Sequence, residues 1–192
     1  MDFMVASGTK KISCIHRAKE QYKRGYHPSR DFYKPLREGI VQMHQRGEPL
    51  TALDEVLQGL TDPKKATSYP KCIAGYDKCI SGKSVAWIVC RPKTWKAASL
   101  EVKVNPELGL TIDGVTHVVK LYFKVDPLNQ AAVEPMLRLI DLSVPGEPKG
   151  ATAAVIDVQR GRLLTHRGPK RDIDALLAAE ASSFAMLWDA IE

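Results

Sequence analysis

Aromatic and basic residues alternate closely in the first third of the chain. Tyr22, Tyr26, Phe32 and Tyr33 interleave with Lys23, Arg24, Arg30 and Lys34. Rings that stack on bases, beside cations that contact phosphates, are a common way of holding single-stranded nucleic acid. The alternative is that the rings belong to the hydrophobic core. We expect Phe32 and Tyr22 to be core residues, whereas Tyr26 and Tyr33 are open to either interpretation.

The excess of positive charge lies in the same part of the chain. Residues 1–46 contain ten Lys and Arg against four Asp and Glu, while residues 47–192 contain 18 of each sign. A local basic segment favours an anionic partner, of which nucleic acid is the commonest. A solvated helix face whose charges only aid solubility explains the same count. If nucleic acid binds here, the predicted contacts are Lys10, Lys11, Arg17, Lys19, Lys23, Arg24, Arg30 and Lys34.

Apolar residues recur at helical spacing through the first third of the chain and again at its end. One stripe includes Ile15 and Tyr22, and the next includes Leu36 and Ile40, so each predicts one buried helix face. For residues 69–80 the pattern only slightly favours a short helix over a loop. The helices expected from these patterns cover residues 9–26, 29–46, 50–60, 69–80, 129–142 and 172–191.

Strand-like segments occupy the middle of the chain. Residues 84–90 and 151–158 are almost continuously apolar, which predicts buried strands, the second of them at the centre of a sheet. Residues 91–93 are expected to form a turn. Short strands are also expected at residues 99–105, 108–113, 116–125 and 163–165, with the Asp113-Gly114 pair predicting a hairpin.

Several helices, a run of strands, a helix, a buried strand and a final helix predict an α+β protein. Its mixed β-sheet is flanked by helices, and the N-terminal third is rich in helix. Residues 1–66 are expected to form a basic helical region and residues 67–192 the sheet core, together making one compact unit.

Charged residues lie on these predicted strands. Glu101-Val102-Lys103 has Glu-x-Lys spacing, Asp113 ends one strand, and Lys120 lies on the next. With this order of elements, residues 84–158 resemble the core of the PD-(D/E)XK nuclease superfamily. The resemblance implies a metal-dependent nuclease, in which carboxylates hold Mg²⁺ and a lysine positions the attacking water. It places Glu101 and Asp113 as metal ligands and Lys103 or Lys120 as that lysine.

The sequence departs from the family pattern beside Lys120. Val118 stands two residues before it, where the family has an acid. Glu101 could replace the missing acid only from a neighbouring strand, which would lie about 4.8 Å away. A nuclease-derived domain without catalysis also fits the sequence. So does a structural role, with Glu101 and Lys103 facing solvent and Lys120 and Lys124 as edge charges that discourage aggregation.

The four cysteines are expected to be free thiols. On a helix, Cys72 and Cys79 would share one face with their Cα atoms about 10 Å apart, which is too far for a disulfide.

No segment reaches the roughly 20 apolar residues of a membrane span, and the first residues lack the order of a secretory signal. We therefore expect a soluble, cytoplasmic protein without a membrane partner.

The second function that the sequence suggests is a non-enzymatic interaction subunit or adaptor. The final helix carries Phe184 and Trp188, and exposed rings of this kind would fit a protein partner. Packing of both rings on the sheet is the alternative, because such stripes usually belong to the core.

Overall fold

The computed structural model describes residues 2–25, 27, 31–144, 149–168 and 172–191. Its helices and two sheets confirm the predicted α+β class, and none of the described helices is long and apolar enough to span a membrane. The helices are α1 (Asp2–Val5), α2 (Thr9–Arg24), α3 (Lys34–Arg46), α4 (Asp54–Gln58), α5 (Pro63–Ile80), α6 (Gln130–Ser143) and α7 (Ile173–Ala190), with a 3-10 turn at Leu50–Leu53. The strands are β1 (Val85–Ile88), β2 (Lys93–Ala97), β3 (Leu100–Val104), β4 (Leu108–Ile112), β5 (Val115–Tyr122), β6 (Thr152–Asp157) and β7 (Arg162–Leu164).

The larger sheet has five strands in the order β1-β4-β5-β6-β7. β1, β4 and β5 are antiparallel neighbours, and the Asp113-Gly114 turn joins β4 to β5 as predicted. Both turn residues have positive φ angles, 49° and 83°, which is the conformation of a tight two-residue hairpin turn. α6 then crosses over, so that β6 runs parallel to β5, and β7 returns antiparallel to β6.

β6 is buried on both faces, which confirms the prediction of a central strand. On one face Ile156 belongs to a cluster with Leu36 of α3 and Tyr76 of α5. On the other face Val155 belongs to a cluster with Leu137 of α6. The first cluster draws residues from both sides of position 66, so the helices of the N-terminal third and the sheet share one core.

α5 begins earlier than the helix predicted for residues 69–80. Asp62 caps it by accepting a hydrogen bond from the Lys64 backbone N–H at 2.8 Å, and Pro63 follows in the first turn, where proline is well tolerated. Cys72 and Cys79 are buried on this helix as free thiols. Burial raises the pKa of Cys72 to about 11.

Two strands differ from the predictions. β1 is an edge strand that pairs with β4 on one side, and Val89 just beyond it is 66% exposed, so the expectation of a buried strand was wrong. β2 begins at Lys93, although this residue was expected to lie in a turn. β2 pairs with β3 in a separate two-stranded sheet. In β2 the half-buried Trp95 and Ala97 flank the exposed Lys96, the alternation of a strand covered on one face.

Candidate nucleic-acid groove

α2 packs beside α7, and the two helices run in the same direction. Near the start of the contact, Lys11 forms an ion pair with Glu180 at 2.7 Å. Near its end, the Lys19 ammonium lies 5.2 Å from the centroid of the Trp188 ring. Because α7 ends at Ala190, the last turn of α2 extends past the end of its neighbour.

A groove runs along α2 at this point. Two cavities of about 950 and 360 Å³ adjoin each other, and both are lined by Ala18 and Gln21. The larger cavity is lined by Ala18, Gln21, Tyr22, Arg24, Gly25, His27, Asp31, Phe32 and Trp188. The smaller one is lined by Phe3, Cys14, Arg17, Ala18, Gln21, Lys124 and Phe184. Rings and cations therefore share one surface, which is termed the α2 groove.

The rings of the groove contact one another in a chain. Phe3 meets Phe184 edge to face with centroids 5.1 Å apart, and Phe184 lies nearly parallel to Trp188 at 5.9 Å. Trp188 in turn meets Tyr22 at 6.0 Å and an interplanar angle of 89°. Phe184 and Trp188 thus pack against rings of α1 and α2. These contacts fix the orientation of the Trp188 side chain.

Tyr22 is not a core residue, so that expectation was wrong. Its side chain is 82% exposed, whereas Ile15, seven residues earlier on the same side of α2, is fully buried. Lys11 and Lys19, four residues to either side of Ile15, contact α7 or the residue that follows it, whereas α7 ends beside Tyr22. Phe32 does pack against the core, as expected, and Tyr33 joins it by stacking on Phe123 with centroids 4.9 Å apart. Tyr26 lies outside the described residues.

Four of the predicted nucleic-acid contacts are exposed on α2. Arg17 and Arg24 line the groove. Arg17 donates a hydrogen bond to the Cys14 sulfur at 3.3 Å, and Arg24 forms a 2.5 Å ion pair with Glu20 in which both side chains are more than half exposed. An exposed pair of this kind contributes at most about 1 kcal/mol, so Arg24 can exchange it for a phosphate at low cost. Lys10 and Lys23 are the other two.

Three of the remaining predicted contacts are used within the chain. Lys11 binds Glu180, and Lys19 donates a hydrogen bond to the Ile191 carbonyl oxygen besides lying over Trp188. Lys34 forms an ion pair with Glu38 at 3.6 Å. Lys11 and Lys19 join α2 to α7, Lys34 pairs within α3, and none of the three is among the named lining residues of the groove. Arg30 lies outside the described residues.

The lining of the α2 groove carries a positive balance. Asp31 is the one carboxylate among its named lining residues, and it forms an ion pair with Arg37 at 2.6 Å. Arg17, Arg24 and Lys124 supply the positive charge. Lys124 follows β5 and reaches the groove from the sheet core, a placement that sequence reasoning missed because distant segments create it.

The structure separates the residues assigned by the nuclease resemblance. β4 has β1 and β5 as its neighbours, so β3 is not the adjacent strand from which Glu101 could be borrowed. Glu101 pairs with Lys96 across the β2–β3 hairpin, and Lys103 is exposed on the same strand. Asp113, in the β4–β5 turn, accepts a hydrogen bond from the Ser84 backbone N–H at 2.9 Å.

Those side chains do not fit a magnesium site. Within the described part of the chain, no group of three or more His, Cys, Asp or Glu side chains could share a metal ion. Glu101 already neutralises a lysine, and Asp113 joins the β4–β5 turn to Ser84, the residue before β1. No metal-dependent step follows from this arrangement.

Lys120 has an acidic partner that sequence reasoning missed. Its ammonium forms an ion pair with Glu107 and donates a hydrogen bond to the Asn105 carbonyl oxygen at 3.0 Å. The Glu107 side chain, 7% exposed, also accepts a hydrogen bond from the Leu121 backbone N–H at 2.9 Å. The Glu107–Lys120 pair could have been predicted from the hairpin, because a tight turn at Asp113-Gly114 places position 107 opposite position 120. Lys120 and Glu107 thus fasten the start of β4 to β5.

Comparisons of the chain with protein-family models, with curated proteins and with solved structures found no match. The resemblance to the nuclease superfamily therefore stays a prediction.

Proposed function

We propose that this protein binds nucleic acid along the α2 groove. The observation that carries the proposal is that exposed Tyr22, Arg17, Arg24 and Lys124 line one continuous surface. Cations that contact the phosphate backbone, set beside rings that can stack on bases, are the combination used by proteins that bind single-stranded nucleic acid. Among the named lining residues, Asp31 is the one acid and is paired with Arg37, whereas three are cations, of which Arg24 is paired with Glu20.

For the sheet core we propose the role of a scaffold, in keeping with a nuclease-derived domain that does not cleave. Lys120 is held by Glu107 and by the Asn105 carbonyl oxygen, and Glu101 is held by Lys96. A lysine that already donates two of its three N–H groups within the chain and is paired with a carboxylate is poorly placed to position a water molecule. The scaffold contributes Lys124 to the groove and supports α2 and α7.

Fluorescence anisotropy tests the proposal, with labelled DNA and RNA, single-stranded and duplex, at low and high salt. The wild-type protein should bind at low salt and lose affinity steeply as salt rises. The double variant Arg17→Gln/Arg24→Gln should bind at least tenfold more weakly. Arg46→Gln is the matched control, because Arg46 is 63% exposed and pairs with Glu48 much as Arg24 pairs with Glu20.

Two outcomes would overturn this account. If the wild-type protein binds none of the probes at low salt, the groove does not hold nucleic acid. If Arg46→Gln weakens binding as much as the groove variant does, the attraction is diffuse and the groove has no special part in it. A parallel incubation with Mg²⁺ or Mn²⁺ tests the scaffold role, since metal-dependent cleavage would contradict it.

A further inference from the structure

We infer that the α2 groove selects single strands, and that the ring of Tyr22 is the platform on which an unpaired base stacks. This inference rests on the proposed function and names the substrate class of the same groove. The starting observation is that Tyr22 is 82% exposed although Trp188 holds it edge to face. The Trp188 contact therefore supports the ring at one point, while most of the residue is open to solvent beside the cavity that it lines.

The orientation of Tyr22 is built by several contacts. Trp188 lies beside it, and Trp188 is itself held by the Phe184 ring at 5.9 Å and the Lys19 ammonium at 5.2 Å. Lys19 is anchored by the Ile191 carbonyl oxygen. A ring held in place before binding loses less rotational freedom when a base stacks on it, so more of the stacking free energy appears as affinity.

The strand preference follows from which faces of a base are accessible. In a duplex each base is stacked between its neighbours, so its π faces are covered and only its groove edges and the phosphates are accessible. An unpaired base offers its π face to the ring of Tyr22 while its phosphates reach cations nearby. Arg24 lines the same cavity as Tyr22, and Arg17 lies seven residues before Arg24 on the same side of α2, about 10.5 Å along the axis. A strand that contacts both arginines runs along α2.

The test compares Tyr22→Leu with Tyr22→Phe. Leucine removes the aromatic ring, whereas phenylalanine keeps it and removes the hydroxyl group. Both variants should fold as the wild type does because the side chain is so exposed, and thermal unfolding checks this. The probes are labelled oligo-dT and oligo-U strands of 12 nucleotides and a DNA duplex of equal length, each at low salt.

We expect the wild-type protein to bind the single strands more tightly than the duplex. Tyr22→Leu should bind the single strands about fivefold to tenfold more weakly, the lower part of the range found for one stacked base. Tyr22→Phe should bind them as the wild type does, and duplex binding should change less than twofold in either variant.

The results distinguish a failure of this inference from a failure of the proposed function. Single-strand binding that is unchanged in Tyr22→Leu but weakened in Arg17→Gln/Arg24→Gln would overturn the stacking platform and leave phosphate binding in place. Equal affinity for single strands and duplex would overturn the selectivity. If no probe binds at all, the proposed function fails and this inference fails with it.

Discussion

Tyr22 and Trp188 meet edge to face with ring centroids 6.0 Å apart, although they come from opposite ends of the chain. The contact exists because α2 and α7 run side by side and α7 ends where the last turn of α2 begins to project. One helix thus supplies the exposed ring and the other supplies its support. Whatever weakens the docking of α7 on α2 should also weaken the site proposed for nucleic acid.

The salt dependence of binding should report the phosphate contact made by Arg24. Each phosphate contact that is lost should lower the slope of log affinity against log salt by about 1. We therefore expect this reduction in Arg24→Gln and no change in Arg46→Gln. Anisotropy titrations at four or more salt concentrations measure both slopes. Identical slopes in Arg24→Gln and the wild type would exclude Arg24 from contact with phosphate.

Gly75 is required for the packing of α5 against the end of β6. A Cβ atom at this position would lie 2.0 Å from the Val158 carbonyl oxygen and 3.1 Å from backbone atoms of Gln159, so the clash is with backbone and not with a flexible side chain. Gly75→Ala should destabilise the fold by about 3 kcal/mol, the upper end of the range for overpacking, measured by urea unfolding. Gly59→Ala is the control, since the nearest atom there is 3.8 Å away, and it should change stability by less than about 1 kcal/mol. Equal stability of the two variants would contradict the close contact.

His44 should make stability depend on pH. Its Nε2 lies 2.7 Å from the hydroxyl oxygen of the fully buried Tyr76, and burial lowers the pKa of His44. The folded state resists protonating this ring, while the unfolded chain protonates it below about pH 6.5. The contribution of His44 is therefore complete above that pH and falls as pH decreases, by at most about 1.4 kcal/mol per pH unit.

Urea unfolding of the wild type and His44→Gln from pH 5 to pH 8 measures this effect. The wild type should lose more stability than the variant as pH falls from 7 to 5. Burial also lowers the pKa of His117, but that residue is present in both proteins and cancels in the difference. Parallel curves over this range would contradict the assignment.

Glu134 and Asp141 of α6 hold His166 from opposite sides. His166 Nδ1 lies 2.6 Å from a Glu134 carboxylate oxygen, and its Nε2 lies 3.0 Å from Asp141. Burial alone would raise the pKa of Glu134, but hydrogen bonds from the side chains of His166 and Gln130 and the backbone N–H of Arg167 outweigh it and lower that pKa. The contribution of Glu134 to stability is thus present above the pKa of an unfolded glutamate and is lost as pH falls through its lower folded value.

Glu134→Gln should destabilise the fold by about 1.5–3 kcal/mol at pH 7, the range for hydrogen bonds to charged groups. The difference from the wild type should shrink below about pH 4, because the wild-type carboxylate is then increasingly protonated. Glu55→Gln, at an exposed position of α4, serves as the control and should change stability little at either pH. A cost that is the same at pH 7 and pH 3.5 would argue against an ionised Glu134 in this cluster.

Local sequence patterns predicted much of the fold but not the groove. The Asp113-Gly114 pair predicted a hairpin because a tight turn needs those residue types, and the apolar run of β6 predicted a central strand. β2 escaped prediction because its turn to β3 has no such signature, although Ala98 adopts a φ of 51° there. The burial of Tyr22 was mispredicted because periodicity shows which face of a helix is apolar but not where its neighbour ends.

The sequence predicted the kinds of residue in the candidate site, but it did not predict which residues line the groove. The basic and aromatic character of the N-terminal third is visible in the sequence. Trp188 and Lys124 join the groove only through tertiary packing. Conversely, Lys11 and Lys19 look like phosphate contacts in the sequence, but the structure uses them to bind α7.

Photo-crosslinking to a single-stranded oligonucleotide that contains 5-iodouracil tests the central claim most directly. Mass spectrometry then locates the crosslinked residues. The account predicts crosslinks at Tyr22 and other rings of the α2 groove, lost in Tyr22→Leu and competed away by unlabelled oligo-dT. Crosslinks confined to surfaces outside the groove, such as Trp95 of the β2–β3 hairpin, would contradict it.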